Sequence, residues 1–134
     1  MSNSDSLKEG KRILQILRGG ETKDEFFDSV ENLCPDWTRM TQGHLFGEVW
    51  SRPGLSLRER SMITVAMLVI HGRNDHGLRA QMEFALNLGI SKEEIFEIIM
   101  HATHYGGWPC GANAMRLAME LFSTKNPVDT KGSR

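Results

Sequence analysis

Cysteine, charge of one sign and long apolar runs are what this chain has least of. Two of its 134 residues are cysteines, Cys34 and Cys110, far apart and without CxxC spacing, so reduced thiols are expected instead of a disulfide framework. Sixteen Lys and Arg stand against seventeen Asp and Glu, a net charge of −1. That balance offers no basic patch to nucleic acid and no acidic excess for a solvating tail. No apolar run approaches the roughly 20 residues of a membrane span. The polar opening MSNSDSLKEGKR lacks the apolar core of a signal peptide. A cytoplasmic setting is expected, with neither nucleic acid nor membrane as partner. Tyrosine occurs once, at Tyr105.

What is present is 40% hydrophobic residues, enough for a soluble globular core, arranged with helical periodicity and broken by glycines. No stretch reads convincingly as a strand, and the expected fold is an all-α, single-domain multi-helix bundle. A first helix, about 4–18, carries Leu7, Ile13, Leu14 and Leu17 and stops at Gly19-Gly20; Gly10 weakens it, so it must lean on something. Thr22 with Glu25, Ser56 with Glu59 and Ser91 with Glu94 each fit a capping box, in which the hydroxyl accepts an amide of the first turn and the glutamate reaches back. These open helices at about 22–33, 57–71 and from 91. Between them, about 36–50 carries Trp37, Met40, His44, Leu45, Val49 and Trp50 at mixed helical spacing, and another helix runs over about 75–88. The run MITVAMLVI, 62–70, is apolar all round and is expected to be buried on every side. Covering so apolar a helix in so small a chain calls for self-association, most naturally a symmetric homo-oligomer. Eight methionines fit adaptable packing or subunit contacts. The expected organisation is an N-terminal helical arm over 1–34, a helical domain over 35–123 and a loose tail over 124–134.

Chemistry concentrates at the break Gly106-Gly107-Trp108-Pro109. The helix opened by Ser91 buries Ile95, Ile98, Ile99 and Ala102 and ends with His101, His104 and Tyr105 on neighbouring turns. Pro109 suits the start of the next helix, whose Gly111, Ala112, Ala114 and Ala118 form a small-residue face. The bend draws Tyr105, Trp108 and Cys110 near one another.

In the order and spacing of three pieces, the chain resembles the carboxymuconolactone decarboxylase family, specifically its 4-carboxymuconolactone decarboxylase branch within the alkylhydroperoxidase D-like superfamily. The pieces are GEVWSRPGLSLRERSMITVAMLVIHGR from Gly47 to Arg73, ALNLGISKEEIFEIIMHATHYGG from Ala85 to Gly107, and the turn from Pro109 to Ala114. The resemblance spans roughly Phe46 to Phe122. It implies an all-α fold assembling as a ring-like homo-oligomer, a trimer or hexamer. It further implies loss of CO2 from a carboxylated muconolactone in aromatic-ring catabolism, with neither metal nor cofactor. Relatives in this branch commonly carry His-Glu-Leu and then a further His. Here His76-Gly77-Leu78-Arg79-Ala80-Gln81 keeps the first histidine and has Gly77 and Gln81 in place of the glutamate and the second histidine. The CxxC pair of peroxidase members is absent, which argues against thiol peroxidase chemistry.

Decarboxylation of such a lactone needs a cation or amides for the carboxylates, donors for the developing dienolate and a group able to move a proton near neutrality. The candidate catalytic residues are His76, His104, Tyr105 and Cys110. His76 matches a family position beside Arg73 and Arg79. His104 and Tyr105 sit at a helix end, and Cys110 near a helix N-terminus, where the dipole favours thiolate. The candidate substrate-binding residues are Trp50, Arg58, Arg79, Gln81, His101 and Trp108. Plainer roles compete at each position: a solvated helix start for His76, dipole compensation for His104, core packing for His101, Cys110 and the tryptophans, surface ion pairs for Arg58. His101 and His104 lack a third ligand, so no metal is expected. Four functions remain open: a cofactor-independent lyase on a carboxylated lactone or related cyclic acid, altered chemistry on the same scaffold (isomerase, hydratase or cyclase), a non-catalytic binding or assembly relative, and, the weakest, a thiol–disulfide role that would require a reversible disulfide between Cys34 and Cys110.

Overall fold

The structure is a computed structural model that describes residues 2–73 and 75–125. Among these residues all regular structure is helical, as the all-α reading requires. They form two compact units, divided between Arg60 and Ser61. Every expectation about the tail beyond residue 125, and about Asn74, lies outside the described residues.

The first unit is built on α1 (Asn3–Leu17), capped by Ser2, whose hydroxyl accepts from the Asp5 amide at 3.1 Å. Next come α2 (Glu25–Leu33) and α3 (Pro35–Thr38), followed by a π-helix over Arg39–Val49. Two sequence expectations need correction. The cap of α2 is not Thr22 but Asp24, whose carboxylate accepts from the Phe27 amide at 3.0 Å. Asp24 offers a stronger acceptor closer to the first turn, so the helix opens there. The stretch expected to be one α-helix over 36–50 is instead four α residues and a π-helix, in which the Trp50 amide bonds to the Leu45 carbonyl at 2.9 Å. Bonds five residues apart widen the turn, a geometry that α-periodicity does not anticipate.

The weakness of Gly10 has its reason here. α1 packs along the π-helix so closely that a β-carbon at Gly10 would strike the Gln42 carbonyl, and one at Gly47 would strike the Ser6 carbonyl. Ser6, Gly10, Gln42, Gly43 and Gly47 are all buried, so backbone meets backbone along this seam. Ile13, Leu14, Leu17, Phe46 and Trp50 are buried as well.

The second unit holds most of α4 (Leu57–Ile70), with α5 (His76–Asn87), α6 (Lys92–Gly106) and α7 (Trp108–Lys125). The capping boxes form as read: the Ser56 amide donates to Glu59 Oε1 at 2.8 Å and the Glu59 amide to Ser56 Oγ at 3.0 Å, with the same reciprocal pair at Ser91 and Glu94. The core is aliphatic: Val65, Val69, Leu78, Met82, Ile90, Ile95, Ile99 and Leu121 are each at most 1% exposed. Each such side chain contributes about 1.5–3 kcal/mol by burial. α4, however, is not buried on every side. Ser61, Val65 and Val69 face inward, while Ile63, Met67 and Ile70 remain 45–51% exposed. A helix buries only the faces its neighbours cover, and one copy of the chain leaves this stripe open.

Candidate active site

Two helices and a one-residue joint make the bend that carries most of the candidates. α6 ends at Gly106; Gly107 takes φ +107°, a conformation L side chains rarely adopt, and α7 begins at Trp108 with Pro109 in its first turn. Gly111 lets α7 close on α6, because a β-carbon there would run into Thr103. Thr103 is itself fixed by donating its hydroxyl to the Ile99 carbonyl at 2.6 Å. Of the small-residue face, Gly111, Ala114 and Ala118 are buried and Ala112 is exposed.

On the outer side of the bend the aromatic side chains pair. The His101 and Tyr105 rings lie 5.2 Å apart, and the His104 and Trp108 rings 5.7 Å apart, edge to face. The four are exposed, Tyr105 at 77% and Trp108 at 72%. His104 Nδ1 is 2.8 Å from the Met100 carbonyl. A carbonyl oxygen only accepts, so Nδ1 carries the proton and Nε2 is left to exchange one. Cys110 points inward: it is buried, and its thiol donates to the Gly107 carbonyl at 3.1 Å. The bend therefore brings His101, His104, Tyr105 and Trp108 together at the surface, with Cys110 beneath.

α5 carries the next group. Asp75 caps it by accepting from the Gly77 amide at 3.0 Å and is gripped by Arg73, whose Nη2 lies 2.6 Å from Oδ2. That guanidinium holds the Asp75 carboxyl below the usual range. His76 is the first residue of α5 and exposed, Arg79 is half-buried, and Gln81 is half-buried with its Oε1 enclosed and without a hydrogen-bond partner. Among the described residues no hydrogen bond, ion pair or ring contact joins His76 to the α6–α7 bend. The remaining candidates belong to the first unit's residues. Trp50 is 6% exposed with its ring 5.4 Å from that of Phe46, and Arg58 is half-buried in the first turn of α4.

One polar constellation escaped the sequence reading. Ser6 Oγ donates to Glu48 Oε2 at 2.6 Å, and His44 Nδ1 lies 3.0 Å from Glu48 Oε1. The Ser6 hydroxyl first and then His44 hold the Glu48 carboxyl below its ordinary range. The trio lines a hollow of about 250 Å³ that Arg39 also reaches. The signal available in the sequence was the i, i+4 spacing of His44 and Glu48; the partner from α1 is 42 residues away and had none.

Residues 35–120 match the model of the carboxymuconolactone decarboxylase family. Among curated proteins, the chain is 32% identical over 122 residues to a 4-carboxymuconolactone decarboxylase of Acinetobacter baylyi, covering 91% of this chain and 90% of that one. It is 34% identical over 125 residues to nitrosuccinic acid decarboxylase npaB of Metarhizium robertsii, covering 86% of this chain and 80% of that one. A third relative, an uncharacterized 15.0 kDa protein of Paracoccus denitrificans, is 28% identical over 126 residues, covering 87% and 94%.

Proposed function

Because the chain belongs to the carboxymuconolactone decarboxylase family, we propose that it is a carboxy-lyase that removes CO2 from 4-carboxymuconolactone or a similar carboxylated lactone, without a cofactor. Two relatives that bear decarboxylase in their names support the reaction type. The observation that carries the reading is the His104 imidazole, locked through Nδ1–H on the Met100 carbonyl with Nε2 directed elsewhere. In the reaction the bond from ring carbon to carboxylate breaks, CO2 departs, and the electron pair enters the lactone carbonyl as a dienolate. Protonated His104 then gives the Nε2 proton to carbon and returns to the neutral Nδ1–H form, to be recharged from water. Tyr105 donates to the developing oxyanion, Arg79 anchors a carboxylate, His101 and Trp108 bound the ring, and His76 and Cys110 serve as further proton carriers.

A second copy of the chain covers the Ile63, Met67 and Ile70 stripe, in a ring-like trimer or hexamer; the exposure of that stripe supports it. Purified protein, given neither metal nor nucleotide, should release CO2 from 4-carboxymuconolactone, and His104→Gln should lower kcat on the order of 100-fold. No turnover by micromolar protein would overturn the reading.

Altered chemistry on the same scaffold has one observation in its favour, at Gln81. An amide carries no proton between partners, and its enclosed Oε1 lacks a donor, which suits orienting a substrate hydroxyl or amide. If Gln81→His together with Gly77→Glu raises decarboxylation above the parent, the second reading gains; an unchanged rate removes it.

A further inference from the structure

The exposed stripe of α4 is narrow and symmetric. Ile63, Met67 and Ile70, each about half exposed, follow one another by four and then three residues, which keeps them within about 60° of the helix circumference and along about 10 Å of its axis. Met67 stands in the middle with an isoleucine at either end. A stripe so marked reads alike in both directions: laid antiparallel on a copy of itself, it sets Met67 against the partner's Met67 beside a two-fold axis, and Ile63 against the partner's Ile70.

The stripe does not end at Ile70. A β-carbon at Gly106 would stand 3.0 Å from Ile70 Cγ1 and 3.3 Å from its Cα, so Ile70 packs on the α6–α7 joint, where Met100, Tyr105 and Trp108 are exposed. Neither stretch brings a fixed charge to this face, because residues 61–72 and 98–115 contain no Lys, Arg, Asp or Glu. Identical copies repel where a charged patch meets itself, and here none is present to do so. Three side chains over two helical turns bury far less than the roughly 800 Å² per partner of a stable contact. A pair held through the stripe must therefore also cover its apolar neighbours at the bend. The chemistry asks for the same cover: with Tyr105 at 77% and Trp108 at 72% exposure, a dienolate beside His104 would meet bulk water, which weakens the donors and brings protons of its own.

We propose that two copies of the chain pair α4 against α4 across a two-fold axis, and that this contact closes the α6–α7 bend, so that one chain alone holds an incomplete site. What the closed site does rests on the lyase reading; the contact does not. A hexamer built of three such pairs contains these two-folds, and a trimer has none.

Single cysteines in the full chain, with Cys34→Ser to remove the exposed native thiol, test the arrangement. A short bismaleimide should join Met67→Cys chains to one another about five-fold faster or more than Ile63→Cys or Ile70→Cys chains, whose like positions lie about 10 Å apart along an antiparallel pair. A mixture of Ile63→Cys and Ile70→Cys should link across. Met67→Lys, at an exposed position, should halve the mass of the assembly in sedimentation with the helical circular dichroism unchanged. Hydroxyl radicals should then label Tyr105 and Trp108 several-fold faster than in the parent, whereas Met67→Leu should keep the parent's pattern. None of these measurements uses substrate. Equal self-linking at the three positions, a parent that sediments as a single chain at micromolar concentration, or equal labelling in parent and Met67→Lys would overturn the proposal and leave the lyase reading standing. Preferential self-linking of Met67→Cys in a protein that releases no CO2 would uphold the contact and remove the lyase reading alone.

Discussion

Each of the two units is packed within itself, and by opposite means. In the first, α1 and the π-helix meet through Ser6, Gly10 and Gly47, with backbone so close that one added methyl has nowhere to go. In the second, Val65, Val69, Leu78, Ile95, Ile99 and Leu121 fill the interior with branched hydrocarbon. The first is sensitive to what is added, the second to what is removed. Close-packed interiors penalise both changes, but by different routes: overpacking strain in one and an empty cavity in the other.

The largest expected effect sharpens this contrast. Ile99→Ala, at a fully buried position in α6, should destabilise the protein by about 2–5 kcal/mol in chemical denaturation. A loss under about 1 kcal/mol would mean that the second unit tolerates voids. Gly10→Ala should cost about 1–3 kcal/mol or somewhat more, because the new β-carbon meets the Gln42 carbonyl, which is backbone and cannot swing aside. Gly111→Ala is the mirror case in the second unit. Its β-carbon meets the Thr103 side chain, which can turn aside only by giving up its bond to the Ile99 carbonyl, whereas the backbone at Gln42 cannot turn at all, so its cost should fall below that of Gly10→Ala. The reverse order would break the comparison.

Next in size are the helix caps. Ser91→Ala removes the acceptor of a reciprocal pair at α6, and Asp24→Ala removes the acceptor of a single bond at α2. Each should cost about 1 kcal/mol in melting experiments. Asp24→Ala should in addition leave Arg18 without its nearest carboxylate.

The smallest effect is set by pH. Glu48 ties the π-helix to α1 through Ser6, and its carboxyl is held below the ordinary value of 4.5 by that hydroxyl first and by His44 second. A carboxyl lowered in the folded state contributes stability above its unfolded value and loses it as pH falls through the folded one. Denaturation midpoints measured from pH 7 down to strongly acid conditions should therefore fall less steeply for Glu48→Gln than for the parent. Identical slopes would remove Glu48 from the account of the first unit.

What could be read from sequence follows the same division. The boxes at Ser56 and Ser91 were legible because donor and acceptor lie three residues apart and need no tertiary partner. The boundaries of α1, α5 and α6 followed from caps and glycines in the same local way. The π-helix was not legible, since the widening at Arg39–Val49 is a property of the packed chain; its only trace was the irregular spacing of Met40, His44, Leu45 and Val49. The burial of α4 failed for a related reason. Composition says that Ile63, Met67 and Ile70 prefer to be covered, but not that one copy of the chain leaves them bare. At the bend, the shared surface of His101 and Tyr105 was legible from their spacing, and their rings lie 5.2 Å apart, whereas the contact of His104 with Trp108 across the joint had no signal in spacing. The inward turn of Cys110 and the Ser6–Glu48–His44 link depended on contacts that spacing cannot supply.

The edge-to-face seat of Trp108 on His104 gives the chain an optical gauge. Protonated imidazole quenches indole fluorescence by accepting an excited electron, and a ring 5.7 Å away is near enough to do so. In a chain whose other two tryptophans are replaced, Trp37→Phe and Trp50→Phe, emission should dim as His104 gains its proton and stay level in His104→Gln. The group proposed to deliver the proton would thus announce its own charge in ordinary light.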